Sequence, residues 1–420
     1  MLTLKPNNAQ KLLLDKHLND TRFIYNQYVE EYLKAIKENR LPNYKDYQDL
    51  RAEHEFLKGS NAWTLQRVLC KFVQTNKINR TKRSKGQKVG LIRFRSKKSH
   101  SDYFYIGIGK LSYNSDCKSE SYVKIPKIGL VNFKRKNIKS EFLNGKIKFG
   151  VVKRTKTGEY KISLCIEVNK VYEERKENDH IGLDFSLRDF FVDSFGAKAP
   201  EFSTKRSKME LLQEKIDSLN TTISGMRNKS KKKRKISVKL YRLTIKRNKL
   251  YERVHNVQVD YINKLSRDLC KHNELIVLEN LNLAEMSEHT SCLDSKTSTK
   301  GGNHGKSVGL LQWNYFCKKL EENSEKFGNI IVLADKFFPS SQICSKCGEI
   351  HSEMKDVTNR TLKCKCGNII DRDYNSAINL LKAGEYYFQN KTLGKELSEY
   401  KAFKCLDFSK SKALKLELNI

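Results

Sequence analysis

Acidic residues are scarce in this chain. Its 420 residues hold 48 Asp and Glu against 82 Lys and Arg, a formal net charge of +34 and a pI near 9.6. So lopsided a charge repels itself and serves no purpose in an enzyme of small metabolites. A polyanionic partner does account for it, and nucleic acid comes first. Proline is also rare, with 5 residues, and glycine modest, with 21, which excludes collagen-like and low-complexity chains. No apolar run approaches the ~20 residues of a membrane span, so no membrane partner is expected. The opening MLTLKPNNAQ lacks the charged-then-apolar order of a secretory signal, and a cytoplasmic location is expected. No internal repeat is visible. What remains is long enough for about two to four domains, and 20 Phe and 19 Tyr can build cores.

Eleven cysteines could suggest a secreted disulfide scaffold, but seven of them are scattered: Cys70, Cys117, Cys165, Cys270, Cys292, Cys317 and Cys405. The other four form Cys344-x2-Cys347, sixteen residues, then Cys364-x-Cys366, each pair followed by a glycine, Gly348 or Gly367. Two thiolate knuckles give a tetrahedral four-sulfur set suited to one structural Zn2+ in a reducing compartment. His351 lies nearby and reads as a surface residue, or else as a stand-in ligand.

Along the chain, Met1–Lys5 reads as a short strand, and Asn7-Asn8 caps a helix carrying Tyr25, Tyr28, Val29, Tyr32, Leu33 and Ile36 at helical spacing. Ser60 is expected to cap a second helix bearing Leu65, Val68, Leu69, Phe72 and Val73. Residues 77–98 hold ten basic residues and no acid: Lys77, Arg80, Lys82, Arg83, Lys85, Lys88, Arg93, Arg95, Lys97 and Lys98. Phe94 lies within the run and Tyr103, Phe104 and Tyr105 just beyond it. A solvated loop would look the same, but basic side chains beside aromatics favour a surface that tracks phosphates. Residues 100–175 read as strands, clearest in the alternation of Lys161–Val168. Residues 205–254 read as a long basic helical region with 17 Lys and Arg against four acids. It includes Lys231, Lys232, Lys233, Arg234 and Lys235, and fits a solvated hairpin as readily as an arm on a nucleic-acid backbone. Residues 286–309 read as a mobile loop.

Three carboxylates stand where a charge is costly. Asp184 sits in the apolar strand Ile181-Gly182-Leu183-Asp184-Phe185-Ser186, Glu279 ends the run Leu275-Ile276-Val277-Leu278, and Asp371 and Asp373 open the helical stretch Asp371-Arg372-Asp373-Tyr374-Asn375-Ser376-Ala377. Singly, Asp184 also fits a turn, Glu279 a polar strand end, and Asp371 or Asp373 a helix N-cap. In that order they are the set a ribonuclease-H-like nuclease needs. Carboxylates from separate elements converge on two Mg2+, which activate water and stabilise the charge on the scissile phosphate.

The series IGLDFSLRDFFVDSFG, LIVLENLNL and FFPSSQICSKCG followed by LKCKCGNIIDRDYNSAINLL resembles the transposon-encoded TnpB nucleases, relatives of the miniature type V CRISPR effectors. RFIYNQYVEEY, GLIRFRSKK and VKIPKIGLVNFKRK extend the resemblance to about residue 385. Ser186 stands where the family usually has a second Gly, and Asn375-Ser376-Ala377 where Asn-Ala-Ala is usual.

The resemblance implies an α/β multidomain protein. A wedge β-barrel would comprise 1–10 and 88–177, and a helical recognition insert 11–87. A RuvC-like nuclease of the ribonuclease-H fold would comprise 178–335 and 370–385, including the basic helical segment 205–254. A four-cysteine zinc ribbon would cover 336–369, and 386–420 would form a tail, expected to be disordered in part. It implies an RNA-guided DNA endonuclease whose partners are guide RNA, target double-stranded DNA and the displaced single strand. Asp184, Glu279 and Asp373 would be catalytic and hold two Mg2+, with Asp371 the alternative third acid. Cys344, Cys347, Cys364 and Cys366 would hold the Zn2+. Guide pairing reads the sequence, so the protein needs charge for backbones more than base contacts. A type V CRISPR effector would share this chemistry, and a guide-bound repressor would share the binding but not the cutting. A tyrosine transposase would need a His-x-His pair, and none occurs.

Overall fold

The computed structural model describes residues 1–97, 102–107, 111–112, 121–134, 146–167, 172–230, 237–281, 311–334, 338–392 and 403–405. The chain divides into two compact units, Met1–Asn169 and Lys170–Ile420.

The first unit pairs a helical layer with an antiparallel sheet. Strand β1 (Leu2–Lys5) leads into α1 (Asn8–Lys37), whose start is fixed by a capping box. The Asn7 side chain accepts from the Gln10 amide at 2.8 Å, and the Gln10 side chain accepts from the Asn7 amide at 3.0 Å. This satisfies two of the helix's orphan N–H groups. One apolar stripe of α1 serves two cores. Leu14 and Leu18 join the sheet's core, while Ile24, Tyr28, Val29 and Tyr32 pack with Leu50 of α2 (Tyr47–Glu53), Leu57, and Leu65 and Phe72 of α3 (Ala62–Ser84). Ser60 does not cap α3. Its hydroxyl donates to the buried Asp20 at 2.7 Å, and Asn61 caps instead, accepting from the Thr64 amide. The same Asp20 oxygen also accepts from Lys16 at 2.9 Å, so the hydroxyl completes a part-buried charged pair in place of a helix end.

The sheet contains β2 (Tyr103–Ile106), β3 (Leu111–Ser112), β4 (Tyr122–Ile125), β5 (Gly129–Phe133), β6 (Lys146–Arg154) and β7 (Tyr160–Glu167). Their spatial order is β2-β6-β7-β1-β5-β4-β3. Strand β1 sits centrally, pairing Leu2 with Ile162 on one side and Leu4 with Phe133 on the other. Among the described residues β2 and β3 remain the two ends of the sheet.

The second unit is a five-stranded mixed sheet covered on both faces. It contains β8 (Asp179–Ser186), β9 (Phe190–Asp193), β10 (Asn273–Glu279), β11 (Ile330–Ala334) and β14 (Phe403–Cys405), in the order β14-β11-β10-β8-β9. Strands β8, β10 and β11 are parallel, and the two outer strands antiparallel. The unbroken apolar run Leu275–Leu278 is explained by burial on both faces. Ile276 and Leu278 point into a core shared with helices α4 (Phe202–Ser230), α5 (Val238–His272) and α6 (Trp313–Phe327). Leu275 and Val277 point to the opposite face, against Leu380 of α7 (Arg372–Thr392). The last strands, β12 (Thr361–Lys363) and β13 (Ile369–Asp371), form a hairpin of their own. Helix α7 continues to Thr392, and Phe403–Cys405 adds a strand beside β11, so part of the stretch expected as a tail belongs to the fold.

Helix α7 lies unusually close to β8. A Cβ at Gly182 would meet the Ala377 carbonyl oxygen at 2.3 Å and the Leu381 amide nitrogen at 2.8 Å. Both are backbone atoms that cannot step aside. Gly182→Ala is therefore expected to cost about 1–3 kcal/mol or more. A urea melt that finds its midpoint unchanged would show that the helix shifts freely.

Candidate metal and phosphate site

Two strand ends and one helix start meet at the carboxyl edge of the second unit's sheet, the usual place for function in open α/β sheets. Pairing of β8 with β10 runs to Leu183 and Leu278, so Asp184 and Glu279 are the next residues on adjacent parallel strands. Side chains alternate along a strand. Leu183 and Leu278 enter the core with α5, which turns Asp184 and Glu279 to the face that α7 covers. There they line a cleft of about 1310 Å3 together with Asp371 and Asp373. Around the acids the same cleft carries Arg188, Lys198, Arg206, Lys355, Arg360 and Arg372.

Asp184 is 7 % exposed. Burial pushes its carboxyl well above the usual range, and the neighbouring Glu279 and Asp373 charges push the same way. The Ser376 hydroxyl, donating to Oδ1 at 2.8 Å, pulls it back. Burial likewise raises Glu279, with Arg372 opposing. Asp373 is raised mainly by burial and then by Asp371, with Arg360 opposing. Three desolvated carboxylates whose ionised forms are disfavoured make a hard-oxygen donor set that fits a divalent cation. Among the described residues their oxygens do not converge within 4.8 Å of one another, as the four thiols do.

The two aspartates at the start of α7 differ in their duties. Asp371 Oδ1 accepts from the amides of Asp373 at 2.9 Å and Tyr374 at 3.1 Å, so it is occupied as the N-cap. Asp373, in the first turn, faces Arg360 Nη1 at 3.4 Å. Ser186 accepts from the Asp189 amide at 3.3 Å and serves the β8–β9 turn.

These raised carboxyls have a consequence for metal-free protein. A group titrating higher when folded lends stability below its unfolded pKa, near 4, and loses it as pH rises through the folded pKa. Asp184→Asn in EDTA should then gain ~1 kcal/mol or more near pH 8, roughly 2–4 °C in Tm. The gain should vanish near pH 4, and thermal melts at the two pH values decide it.

The four cysteines gather as the spacing requires. Cys344 and Cys366 sulfurs lie 3.7 Å apart and those of Cys347 and Cys364 3.5 Å apart, and all four fall within 4.8 Å of one another. Gly348 at φ +83° and Gly367 at φ +81° make the knuckle turns, a backbone region that favours glycine. The cluster is tied to the cleft by α7. Asn375 accepts from the Ser345 amide at 2.9 Å and donates to the Ile343 carbonyl at 2.7 Å, and Asn379 donates to Ser340 and Ile343. His351 is not a surface residue; it is 8 % exposed.

Of the basic residues in the first unit, Lys77, Arg80 and Lys82 are exposed along the end of α3, and Lys85, Lys88 and Arg93 are exposed beyond it. Arg83 donates to the Val89 and Gly90 carbonyls and holds that segment. Arg95 is engaged within the fold, its guanidinium 3.7 Å from the Tyr25 ring centre and 4.6 Å from that of Tyr103. Lys231, Lys232, Lys233, Arg234 and Lys235, like residues 286–309, lie outside the described residues.

Three family models match the chain: "Helix-turn-helix domain" over residues 2–40, "Probable transposase" over 163–290 and "Cas12f1-like, TNB domain" over 313–380. The first covers β1 and the single long helix α1. A TnpB-like protein of Acanthamoeba polyphaga mimivirus is 28% identical over 52% of this chain and 39% of its own length. The chain is similar to TnpB-like and transposase-type proteins. Another relative, named "Putative RNA-guided DNA endonuclease" in Streptomyces pristinaespiralis, is 24% identical over 56% of the chain and 52% of its own length. A protein of the same name, InsQ of Escherichia coli (strain K12), is 22% identical over 91% of the chain and 90% of its own length. The chain thus spans about half the length of the first curated relatives it matches. A solved Cas12f1–sgRNA–target DNA complex aligns with 88% of the chain and 82% of its own, at 16% identity and a TM-score of 0.48.

Two residues of the cleft escaped the sequence reading. Ser376 passed as a small change from the family's usual Ala, yet it is the hydrogen-bond donor to Asp184. Arg360 lay in an unremarked stretch between the cysteine pairs; its position thirteen residues before Asp373 was the only available signal. A charge-assisted hydrogen bond of this kind contributes about 1.5–3 kcal/mol. Ser376→Ala should weaken divalent-cation binding at these carboxylates by ~3–10-fold, read by calorimetric titration with Mg2+. An Mg2+ titration that superimposes on wild type would remove Ser376 from the site.

Proposed function

We propose that the chain is an RNA-guided DNA endonuclease of the TnpB type, hydrolysing phosphodiester bonds of target DNA. The observation that carries this reading is the meeting of Asp184, Glu279 and Asp373, from β8, β10 and α7, in one basic-rimmed cleft. In this reading the second unit's sheet, with 178–335 and 370–385, is the RuvC-like domain of ribonuclease-H fold. Residues 336–369 are the zinc ribbon. The first unit supplies the recognition insert, 11–87, and the wedge, 1–10 and 88–177, apart from 170–177, which fall in the second unit. Of the stretch 386–420, the end of α7 and Phe403–Cys405 stay with the second unit's sheet.

The roles of the side chains follow from their surroundings. Asp184, Glu279 and Asp373 hold two Mg2+, which when bound supply an activated water and charge stabilisation at the phosphate. Ser376 fixes the rotamer of Asp184 so that its second oxygen is free for the cleft. Asp371 keeps the start of α7 in place, so that Asp373 presents its carboxylate at a fixed height. The arginines and lysines of the rim attract and seat the phosphodiester backbone. Guide RNA, target duplex and displaced single strand are the partners, with the exposed Lys77, Arg80, Lys82, Lys85, Lys88 and Arg93 among the backbone contacts. Lys231–Lys235 belong to the same proposal. Cys344, Cys347, Cys364 and Cys366 hold Zn2+ as a closed structural site.

The test is to purify the chain from cells, sequence the RNA that accompanies it, and supply that RNA re-programmed against a plasmid. Cleavage at the programmed site with Mg2+ is expected. Tight binding without cutting would favour the guide-bound repressor, and absence of both RNA and cleavage would end the proposal.

A further inference from the structure

Beside the four-cysteine cluster lies a second group of donors. Glu349, His351 and Cys364 bring one ligand atom each within 4.8 Å of the others. Cys364 Sγ is 3.2 Å from Glu349 Oε2, and His351 Nε2 is 4.0 Å from that same oxygen. The imidazole is set as metal-binding histidines are set. Its Nδ1 lies 3.0 Å from Glu353 Oε1. A carboxylate can only accept, so in the neutral ring Nδ1 carries the proton and Nε2 presents a lone pair. That Nε2 is buried and makes no hydrogen bond, an expense that calls for a partner.

The three donors lie side by side: the Cys364 thiol donates to Glu349 Oε2, and the unbonded His351 Nε2 is turned toward that same oxygen. We propose that Glu349, His351 and Cys364 form a second zinc-class site, with the Cys364 thiolate bridging the two ions and water completing the shell. The charges support it: one Zn2+ with four thiolates and Glu349 sums to −3, and a second Zn2+ brings the group to −1. Spacings of 3.2–4.0 Å between donors suit ligands held about 2.0–2.3 Å from one ion.

The inference rests on the ribbon as a zinc centre, and counting ions separates the two claims. The full chain carrying Asp184→Ala, which keeps zinc out of the carboxylate cleft, is equilibrated with Zn2+, gel-filtered, and measured by elemental analysis and native mass spectrometry. Two zinc ions per chain are expected, falling to one on adding His351→Ala. Glu353→Gln should weaken the second ion ~10–100-fold. Should His351→Ala release both ions, Glu349→Gln decides, since its side chain is half-exposed and its loss must leave one. One ion at saturating zinc overturns the second site, with a proton on Nε2 as the counter-charge instead. Two ions retained by both His351→Ala and Glu349→Gln also overturn it. No ion at all overturns the zinc ribbon itself.

Discussion

Asp184→Ala, Glu279→Ala or Asp373→Ala should reduce programmed DNA cleavage by roughly a hundredfold or more, while guide and target binding stay within a few-fold of wild type. Binding energy comes from many backbone contacts and from base pairing. In the proposed reading the three acids serve the cations, and losing a metal ligand would remove several kcal/mol of transition-state stabilisation, at ~1.4 kcal/mol per tenfold in rate. Plasmid cleavage beside filter binding, with Mg2+ and with EDTA, reads both quantities for each variant. Asp371→Ala belongs in the series for a different effect. Its carboxylate accepts from two α7 amides, so its loss should cost ~1 kcal/mol of helix stability and only part of the activity. If Asp371→Ala is the dead variant and Asp373→Ala cuts, the third ligand is two residues away from its assigned place. If all three proposed variants cut like wild type, the nuclease reading fails.

Removing the ribbon's metal should have the second largest effect. A structural zinc in a small module supplies folding free energy of order 10 kcal/mol, and the ribbon's own core is little more than Met354, Leu362, Ile370 and the cysteines. A Cys344→Ser, Cys347→Ser double variant should expose residues 338–371 to limited proteolysis while leaving the first unit resistant. Cleavage activity should fall at least tenfold, since Arg360, Lys355 and the cap of α7 all come from the ribbon. Proteolysis that maps identically to wild type, with activity retained, would show that the thiols bind nothing of consequence.

Much of the site was legible in the sequence because its chemistry is costly. A carboxylate inside Ile181–Phe185 or at the end of Leu275–Leu278 has no cheap structural use, and four knuckle-spaced cysteines with trailing glycines have few alternatives. The strand alternation at Lys161–Val168 was legible for the same reason, since period two has one common cause. The illegible parts depend on partners far along the chain. Ser60 reads as a cap until Asp20 arrives from forty residues away. His351 reads as exposed until Glu349 and Glu353 close around it. Arg95 reads as one more basic residue of its run, and the stacking of its guanidinium on Tyr25 and Tyr103 is invisible in the sequence. Ser376 reads as a trivial exchange for Ala until α7 lies on β8, where its hydroxyl reaches a residue 192 positions earlier. Hydrogen bonds that stabilise a buried charge are tertiary facts, and no local pattern encodes them.

The join between β13 and α7 has a mechanical meaning. Strand β13 ends at Asp371 and the helix begins at Arg372, with no linker between them. One end of this rod belongs to the ribbon, while its middle is wedged against Gly182 and its far half against Val277 at Gly384. It is a lever on a fixed fulcrum, and Asp373 sits on the short arm. Asp184 and Glu279 stand on the sheet itself, so the distance from them to Asp373 is set by how this rod seats on the strands and not by any loop.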